Sequence, residues 1–475
     1  MRKKYPLVVD LDGTLVRSDT LIESLLRLIK KSPFALFLLP ILLLQSRQKF
    51  KWHLAKRVEC SPESLPYDEE LVGFLKAEQS QRPLILMSAS NEKTVQAVAD
   101  HLGIFDQFYG SSRSVNLKGT KKVELLKEKF GKYAYVGNSY ADVPVWADAD
   151  EALIVYRSKK LLKKLVSSHS NVTKTFDRRV TNVGVFFKAI RLQQWVKNLL
   201  IFLPLFLAHQ FHFDLMVDTL LAFLALSLCA SSVYLLNDLL DLSADRKHRT
   251  KKRRPLASGA LPLGAGIALF PVFLISSALI ALEIKSLEFV YTLGGYFVLT
   301  LLYSFKIKGV MLLDGLMLAI LYTIRLFAGS MATGIPISDW FFIFSIFFFY
   351  SLAMVKRVTE LMYLKEAGGV TRTRGYTTQD VHQLTMQGLI CGYLSILVFA
   401  LYIFDENTGN LYGNTKFLWG VCLVLMYWVG RVWMLVARNE MDDDPINFAI
   451  KDRTSLVCIS VIALMMLLAT GKFGI

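Results

Sequence analysis

The sequence has few cysteines, and they form no pattern. The five are scattered, without a CxxC pair or a spacing typical of metal ligands: Cys60, Cys229, Cys391, Cys422 and Cys458. This argues against a disulfide framework and a thiolate metal site, and indicates small apolar side chains in a reducing compartment. The chain also lacks a motif in which basic residues alternate with base-stacking aromatics. We therefore expect no nucleic-acid partner.

Acidic residues are scarce relative to basic ones. The chain carries 39 Asp and Glu against 55 Lys and Arg, which gives a formal net charge of +16. Because 53% of the residues are hydrophobic and the mean hydropathy is +0.40, we expect an integral membrane protein of the lipid bilayer with a basic aqueous face. The start of the chain, MRKK, leads into a strand-like run with aspartates instead of an apolar signal segment. We therefore expect the N-terminus to stay in the cytosol.

Residues 1–165 are more polar than the rest and alternate between strand-like and helix-like stretches. Four short runs have the length and composition of strands: Leu7–Asp10, Leu84–Ser88, Tyr133–Gly137 and Ala152–Tyr156. Strands that alternate with helices predict a parallel α/β sheet. Three of these runs end in polar residues suited to phosphate. In open parallel sheets the binding site lies at the carboxyl ends of the strands.

The first of these runs carries a pair of aspartates, in the sequence VVDLDGTLV. Asp10 has the position of an exposed carboxylate nucleophile. Asp12, two residues on, faces the same way in an extended turn and can act as general acid and base. Gly13 and Thr14 allow the backbone to approach a phosphate. This short motif alone is only a moderate indication of phosphate chemistry.

Three further motifs follow in a fixed order. LMSAS contains Ser88, NLKGT precedes the lysine pair Lys121 and Lys122, and GNSYADVPVW contains Asn138 and Asp142. Together with the aspartate pair, this order and spacing resemble the haloacid dehalogenase (HAD) superfamily of phosphohydrolases. The resemblance implies a Rossmannoid parallel sheet with a small helical cap, here the segment that begins SDTLIESLLRL.

The resemblance also implies roles for these side chains. Asp10 would form a phosphoaspartate and Asp12 would be the general acid and base. Ser88 and Lys122 would bind phosphate, with Lys121 as the alternative to Lys122. The Mg²⁺ ligands would be Asp10, Asp12, Asn138 and Asp142. Asn138 departs from the family because an acid is usual at its position, which lowers the expected metal affinity and leaves a non-catalytic domain as an alternative.

Two segments of the N-terminal half are predicted to have no catalytic part. The apolar run Pro33–Leu44 is too short to span a bilayer, which needs about 20 residues. We interpret it as a monotopic patch at the membrane interface, with a plain core helix as the alternative. The stretch from Lys159 to Thr181 is basic and rich in Ser and Asn, which predicts a linker, placed at residues 166–184, or a surface helix.

Residues 185–475 predict an all-α membrane bundle. Nine apolar segments of spanning length recur, near 186–208, 215–236, 262–283, 287–303, 309–331, 338–356, 385–404, 415–436 and 454–471. The loops on one side are rich in Lys and Arg, whereas the opposite loops carry almost none. By the positive-inside rule the basic loops and the N-terminal domain lie in the cytosol, so we expect a multi-pass protein of the cytoplasmic (inner) membrane.

The segment Asn237–Gly259 concentrates acids and bases at the end of an apolar helix. At about 100° per residue, Asn237, Asp241, Asp245 and His248 fall within one arc, and Asp238 lies at its edge. Acids at the end of an apolar helix favour a functional site. Cations follow at once: Arg246, Lys247, Arg249, Lys251, Lys252, Arg253 and Arg254. This pairing suits a diphosphate bridged by Mg²⁺, although the cations alone could be only a topology signal.

Other charged residues occur on the same predicted side. YSFKIKGVMLLDGLMLAILYTIRLFAG contains Tyr303, Lys306, Asp314 and Arg325. Asp314 and Arg325 are eleven residues apart, about three helical turns, so we expect them on one helix face. Lys197 with Arg191 and Trp195, and Lys356 with Glu360, add to the set, although Trp195 with its cations could be an interfacial anchor. The acids Asp442–Asp444 are expected to be solvated surface.

NDxxDxxxD followed by RPLASG, with a second motif that begins YSxxxK, resembles the UbiA superfamily of intramembrane prenyltransferases over residues 186–475. The resemblance implies nine helices around a cavity and a diphosphate bound through Mg²⁺. The second motif departs from the common form, because Leu318 stands where a second aspartate would follow Asp314. With QWVKN and with DDP followed by KDR, this looks closer to the branch of decaprenyl-phosphate phosphoribosyltransferase-like proteins.

This branch implies phosphoribosyl pyrophosphate and a polyprenyl phosphate as substrates, with the N-terminal domain removing the 5-phosphate of the lipid-linked product. The acids Asp238, Asp241 and Asp245 would be catalytic and, with Asn237, would hold Mg²⁺. The substrate-binding residues would be Lys197, Asn237, Arg246, His248, Lys252, Arg254, Tyr303, Lys306, Asp314, Arg325 and Lys356. The alternatives are a prenyltransferase that uses a polyprenyl diphosphate and an aromatic acceptor, and a non-enzymatic membrane scaffold. A homo-oligomer is possible.

Overall fold

A computed structural model describes residues 5–32, 47–58, 61–112, 115–168, 171–179, 183–366, 372–405, 408–409, 412–441 and 444–470. The predicted monotopic patch at Pro33–Leu44 lies outside these residues. The chain divides into two compact units. The first contains Met1–Leu192 together with Tyr234–Pro271, and the second contains Gln193–Val233 and Val272–Ile475.

The first unit contains a sheet of six parallel strands in the order β3-β2-β1-β4-β5-β6. The strands are β1 Leu7–Val9, β2 Leu84–Asn91, β3 Gln107–Ser111, β4 Ala134–Gly137, β5 Glu151–Tyr156 and β6 Val172–Asp177. The helices between them are α1 Thr20–Lys31, α2 Arg47–Arg57, α3 Glu69–Glu78, α4 Glu92–Leu102, α5 Thr120–Phe130, α6 Val143–Asp148 and α7 Lys159–Ser168. The predicted parallel α/β architecture is confirmed.

The central strands are apolar throughout because both faces of the sheet are covered. Leu7 and Val9 pack into one core cluster, whereas Val8 between them packs into the other. All three are fully buried. A continuous apolar run is therefore the pattern of a central parallel strand, which explains why the sequence predicts β1, β2, β4 and β5.

The two edge strands differ from the prediction. β3 was not expected, and β6 lies within the predicted linker at 166–184. In β6 most side chains are exposed and Phe176 alone is buried. An edge strand has one free side and needs few apolar residues, so its pattern resembles that of a polar linker.

The second stretch of the first unit, Tyr234–Pro271, begins in the last turns of the apolar helix α10 Phe213–Leu240. It contains the short helix α11 Leu242–Lys247, a 3-10 turn, and the first turns of α12 Leu263–Glu283. Between them Gly259 has a φ of +72°, and a Cβ at this position would lie 2.6 Å from the carbonyl oxygen of Arg17. Glycine therefore allows this loop to meet the N-terminal domain.

The chain is an integral membrane protein built from long apolar helices. In the described residues seven helices are long and apolar enough to span a membrane: α10, α12, α13 Leu287–Phe305, α14 Leu313–Thr333, α15 Asp339–Glu366, α16 Val381–Ile403 and α17 Lys416–Ala437. An eighth span results if α18 Pro445–Lys451 and α19 Arg453–Ala469, which meet at 81°, are counted as one.

The predicted first span near 186–208 is not one helix. It consists of α8 Gly184–Ala189, a 3-10 stretch Leu192–Phe202 and α9 Leu203–Leu207. Arg191, with a φ of 53°, interrupts the helical backbone, and Pro204 stands in the first turn of α9. The structure therefore gives seven or eight spanning helices among the described residues, and a count of nine stays a prediction.

Candidate functional site

Polar side chains from neighbouring strands meet at one edge of the sheet. Asp10 follows β1, Ser88 lies near the end of β2, and Asn138 follows β4. Because these strands are parallel and adjacent, their carboxyl ends lie side by side. The three residues line a cavity of about 490 Å³ together with Lys122 and Asp142. The structure thus brings the predicted phosphate-handling residues into one pocket.

Lys122 lies at the centre of this pocket. Its Nζ donates hydrogen bonds to Oδ1 of Asp10 at 2.8 Å and to the hydroxyl of Tyr135 at 2.7 Å. The Tyr135 hydroxyl in turn donates to Oδ1 of Asp142 at 2.8 Å. Lys121, the alternative in the sequence, is exposed. Tyr135 was missed because it lies inside a strand with no polar pattern around it.

The loop after β4 fixes Asp142. Its Oδ2 accepts hydrogen bonds from the backbone N–H of Asn138 at 3.2 Å and from the backbone and hydroxyl of Ser139 at 3.0 and 2.9 Å. On the other side, a Cβ added to Gly13 would lie 2.1 Å from Nδ2 of Asn138. The DxDGT turn therefore uses glycine to bring its backbone against the Asn138 amide.

Asp12 is held by two groups on neighbouring segments. Its Oδ1 accepts a hydrogen bond from the backbone N–H of Thr20 at 2.8 Å, at the start of α1. The hydroxyl of Ser90 donates to its Oδ2. The N–H of Ser90 also donates to Oγ of Ser88 at 3.1 Å. Ser90 is a site residue that the sequence motif LMSAS contained but did not single out.

The environment of the two aspartates changes their proton affinity. Burial raises the pKa of Asp10 to about 7, with Lys122 acting against this change and Asp142 adding to it. Burial also raises the pKa of Asp12, and the charge of Asp19 adds to the effect. A raised pKa suits Asp12, whose predicted role as general acid requires a proton, whereas Asp10 must lose its proton to act as a nucleophile.

The first acidic motif gathers around one arginine. Nη1 of Arg254 lies 3.0 Å from Oδ1 of Asp238 and 2.6 Å from Oδ2 of Asp245. Arg191 forms an ion pair with the same oxygen of Asp238. Burial raises the pKa of Asp245, and Arg254 acts in the opposite direction. Two buried carboxylates therefore share one cation in this motif.

Other residues of the motif lie apart from this pair. Asp241 is more exposed and forms an ion pair with Nζ of Lys30 at 2.6 Å. The backbone carbonyl of Asn237 accepts a hydrogen bond from the N–H of Asp241 at 2.9 Å. His248 uses Nδ1 within its own turn, near Thr250, and Lys252 is exposed. The residues that were predicted to share one helical arc therefore belong to separate helices, because one helix ends at Leu240 and the next begins at Leu242.

Arg246 was predicted to bind substrate, but the structure places it elsewhere. Its Nη2 and Nη1 lie 2.8 and 3.0 Å from the two carboxylate oxygens of Glu23, on α1. The same guanidinium donates to the backbone carbonyls of Ser64 at 3.1 Å and Ala257 at 2.8 Å. Both members of the ion pair are buried. Arg246 therefore joins this loop to the α/β domain.

In the second unit, Asp314 and Arg325, which were expected on one helix face, bind different partners. Nη2 of Arg357 lies 3.1 Å from its Oδ1, Nε of Arg357 contacts Oδ2, and the Tyr303 hydroxyl donates to Oδ1 at 2.9 Å. Arg325 instead binds Asn198 at 2.9 Å. Eleven residues of helix separate Asp314 and Arg325 by about 16 Å, too far for direct contact.

A second cluster in this unit joins two predicted lysines. Lys197 forms an ion pair with Oδ2 of Asp444, and Nζ of Lys356 lies 4.0 Å from the same oxygen. Asp444 also accepts from the first N–H groups of α18. The prediction of a solvated surface acid is therefore wrong for Asp444, whereas Asp442 and Asp443 lie outside the described residues. Lys306 is exposed at the end of α13.

The second unit also contains an apolar cavity of about 420 Å³. Leu203, Phe341, Phe344 and Leu425 are among the residues that line it, and Tyr402 adds a hydroxyl. Such a lining suits a hydrocarbon chain.

We next asked whether the acids could hold a metal ion. In the part of the chain that the structure describes, no three His, Cys, Asp or Glu side chains are grouped as metal ligands. However, Arg254 occupies a position shared by Asp238 and Asp245, and Lys122 lies 2.8 and 3.9 Å from Asp10 and Asp142. Arg254 and Lys122 each lie close to two carboxylates, at a position where a divalent ion could bind. Carboxylate oxygens are the ligands that Mg²⁺ prefers. The donor chemistry therefore fits the ion.

Comparison with known proteins gives matches over most of the chain. Residues 199–456 match the UbiA prenyltransferase family. Uncharacterized protein y4nM of Sinorhizobium fredii is 36% identical over 460 residues, which cover 95% of this chain and 89% of that protein. Nodulation protein NoeC of Azorhizobium caulinodans is 31% identical over 280 residues, 59% of this chain and 91% of NoeC.

Two further proteins are similar to part of the chain. Decaprenyl-phosphate phosphoribosyltransferase of Corynebacterium glutamicum is 32% identical over 229 residues, which cover 46% of this chain and 67% of that enzyme. Among solved structures, a UbiA homologue from Archaeoglobus fulgidus bound to DMAPP and Mg²⁺ aligns with a TM-score of 0.45 and 14% identity, over 60% of this chain and 99% of that one.

Proposed function

Because the chain belongs to the UbiA prenyltransferase family, we propose that it transfers 5-phosphoribose from phosphoribosyl pyrophosphate to a polyprenyl phosphate. The observation that carries this proposal is the bonding of Asp314. Arg357 and Tyr303 bind this carboxylate, and Leu318 stands where a second aspartate would be expected. A second motif with so few free carboxylates suits a lipid that brings one phosphate. Similarity to decaprenyl-phosphate phosphoribosyltransferases supports the same choice.

The first acidic motif receives the pyrophosphate of the sugar donor. In this proposal Asn237, Asp238, Asp241 and Asp245 would hold Mg²⁺, which would supply positive charge to the pyrophosphate as it leaves. Arg254, which bridges Asp238 and Asp245, would release these carboxylates and bind phosphate oxygens instead. The buried position of the acids strengthens these electrostatic interactions.

The transfer is a substitution at the anomeric carbon of ribose. A phosphate oxygen of the polyprenyl phosphate forms a bond to this carbon. The bond between the carbon and pyrophosphate breaks, and its electron pair leaves with the pyrophosphate. Lys197 and Lys356, which both contact Asp444 within the second unit, bind the phosphate of the polyprenyl phosphate in this proposal. The product is polyprenyl-phosphoryl-5-phosphoribose.

The hydrocarbon tail of the lipid binds in the second unit. The cavity of about 420 Å³ there is lined almost wholly by apolar and aromatic side chains, such as Phe341 and Phe344. This lining binds apolar chains by excluding water and places no charge beside them.

The N-terminal domain then removes the 5-phosphate from the lipid-linked product. Asp10 attacks the phosphorus, the ester bond to the ribose oxygen breaks, and Asp12 donates its proton to that oxygen. Water next attacks the phosphoaspartate as Asp12 takes a proton, and phosphate leaves. Lys122 and Ser88 bind the phosphate, while Asp142 orients Lys122 through Tyr135. The product is polyprenyl-phosphoryl-ribose.

A second candidate function is prenyl transfer from a polyprenyl diphosphate to an aromatic acceptor, which the description of the family favours. Incubation of the purified protein with Mg²⁺, phosphoribosyl pyrophosphate labelled in the ribose, and a polyprenyl phosphate separates the two. We expect ribose label in the lipid fraction. If no label enters the lipid and a polyprenyl diphosphate instead alkylates an aromatic acid, the phosphoribosyl proposal is wrong.

A further inference from the structure

Strand β5 is followed by a charged side chain that also lines the phosphate pocket. Arg157 follows β5 directly, at the same edge of the sheet as Asp10, and lines the same cavity. None of the phosphatase steps above uses it. Its side chain is half-buried and is among the residues that line the pocket.

Arg157 has a backbone carbonyl as its hydrogen-bond partner. Its Nη2 donates to the backbone carbonyl oxygen of Arg17 at 3.2 Å. Within the described ranges, no carboxylate forms an ion pair with Arg157, and the neighbouring Arg17 is itself paired with Asp68 at 3.1 Å. Burial lowers the pKa of Arg157, and the charge of Arg17 adds to the effect. A half-buried guanidinium with only a carbonyl partner favours binding of an anion.

One phosphate on the substrate does not require this arginine. Lys122 and Ser88 already serve the phosphate that Asp10 attacks. Arg157 is an additional cation, which follows β5 at the same edge of the sheet. It suits a substrate with a second negative group. A phosphodiester is such a group, because it carries one charge and presents two oxygens to a guanidinium.

The wall of the cavity indicates what the second group is attached to. Pro262, Leu263 and Gly264 line it, and Leu263 begins the spanning helix α12. Leu21 and Ile22 add apolar surface. All of these residues belong to the first unit. The pocket therefore combines phosphate-binding groups with the first turn of a helix that enters the bilayer, which suits a phosphate ester joined to a lipid.

We propose that Arg157 binds the phosphodiester of a lipid-linked substrate whose terminal phosphomonoester is cleaved at Asp10. This inference rests on the proposed phosphatase function and adds to it a residue that selects the substrate. Arg157 distinguishes a sugar phosphate that carries a lipid phosphodiester from a free sugar phosphate. It is a binding residue for the second anion and takes no part in bond breaking.

The test compares two substrates with the full-length protein in detergent micelles. One is ribose 5-phosphate, and the other is its C1 alkyl phosphodiester with a short alkyl chain. The measured quantity is the ratio of kcat/KM for the diester to kcat/KM for ribose 5-phosphate. Because a charge-assisted hydrogen bond is lost, we expect Arg157→Gln to lower this ratio about 10-fold to 100-fold. Arg157→Lys keeps the charge and should recover part of the ratio.

Arg179→Gln is the matched control. Arg179 follows the neighbouring strand β6, is paired with Asp177, and does not line the cavity. Its replacement should leave the ratio within about twofold of the parent, consistent with a surface substitution. Melting curves of all variants in detergent identify any variant that fails to fold, and Arg157→Lys then provides the comparison.

The possible outcomes separate the two proposals. If the parent protein hydrolyses neither substrate, the phosphatase function is wrong, and this inference falls with it. If it hydrolyses both, and the ratio for Arg157→Gln equals that of the parent, only the role of Arg157 is wrong. A third outcome is that the kcat/KM ratio changes only when anionic phosphatidylglycerol replaces phosphatidylcholine in vesicles. This result would show that Arg157 binds lipid headgroups, which also contradicts the proposal.

Discussion

Arg246 and Glu23 form a buried, two-point ion pair, with N–O distances of 2.8 and 3.0 Å, although 223 residues separate them in the chain. Arg246 lies in the loop of the first acidic motif, and Glu23 lies on the first helix of the α/β domain. This helix begins at Thr20, whose N–H binds Asp12. The pair therefore ties the first acidic motif to a helix that also positions Asp12 in the pocket of the α/β domain.

We expect Arg246→Gln and Glu23→Gln each to destabilise the protein. Either change leaves a buried charge without its partner, which costs about 3–5 kcal/mol. Melting in detergent should therefore occur several degrees lower in each single variant, and the double variant should recover part of the loss.

Lys247→Gln provides the control for this pair. Lys247 is exposed and lies 3.9 Å from Glu63, so its loss should change stability by less than about 0.5 kcal/mol. Single variants of Arg246 and Glu23 that melt with the parent would contradict a docking role.

We expect Asp245→Asn to lower phosphoribosyl transfer at least about 100-fold. Asp245 is buried and shares Arg254 with Asp238, so its replacement removes one of two adjacent charges at the site for the pyrophosphate and Mg²⁺. The measurement is the initial rate at which ribose label enters the lipid fraction over a range of Mg²⁺ concentrations.

Asp214→Asn is the matched control, because Asp214 lies at the opposite end of the apolar helix that leads into the motif. It should retain transfer within about twofold. Equal rates for Asp245→Asn and the parent would remove the first acidic motif from the mechanism.

We expect Asp10→Asn to stop phosphate release without stopping transfer. The nucleophile is lost, whereas the acids of the transferase motif are unchanged, so the phosphorylated lipid product should accumulate. Thin-layer chromatography of the labelled lipids gives the ratio of phosphorylated to dephosphorylated product.

Asp148→Asn serves as the control, because Asp148 lies on α6 and is paired with Lys127 away from the pocket. Its product ratio should match that of the parent. An Asp10→Asn protein with the parental ratio would mean that this domain does not process the lipid.

We expect Asn138→Asp to strengthen Mg²⁺ binding in the α/β pocket. Asn138 lies beside Gly13 and next to Asp142, and a carboxylate there adds a charged ligand to the site. The concentration of Mg²⁺ that gives half-maximal phosphatase activity should fall by about 10-fold, which corresponds to about 1.4 kcal/mol.

Asn91→Asp adds the same charge elsewhere in the domain. Asn91 caps α4 through its side-chain oxygen, a role that aspartate also fills. Its Mg²⁺ requirement should stay at the parental value. If Asn91→Asp and Asn138→Asp shift the requirement equally, the effect is one of net charge and not of ligation.

The sequence predicts those features that depend on local pattern. Central strands such as β1 are continuously apolar, and the residues at strand ends, among them Asp10 and Asn138, share an edge by topology alone. The long spanning helices follow from their apolar length. Edge strand β6 has one buried aromatic, Phe176, and therefore carries too weak a pattern to separate it from a linker.

The sequence does not predict which charged residues pair when they lie far apart in the chain. Asp314 was expected to share a face with Arg325, whereas Arg357 on the next helix reaches its carboxylate. Glu23 lies in the segment that was predicted to be a cap, and Arg246 was predicted to bind substrate, so their ion pair was not expected. Opposite charges are abundant in this chain, and only the packing of helices decides which of them come within ion-pair distance.

The first unit is assembled from two stretches that the ribosome makes at different times. Residues 193–233, which belong to the second unit, are synthesised before the segment Tyr234–Pro271 that completes the first. Until that segment emerges, Glu23 lacks Arg246 and can pair with Arg27 of its own helix, 3.7 Å away. The α/β domain therefore finishes folding only after the first long helix has been translated, so its maturation is coupled to insertion of the chain into the membrane.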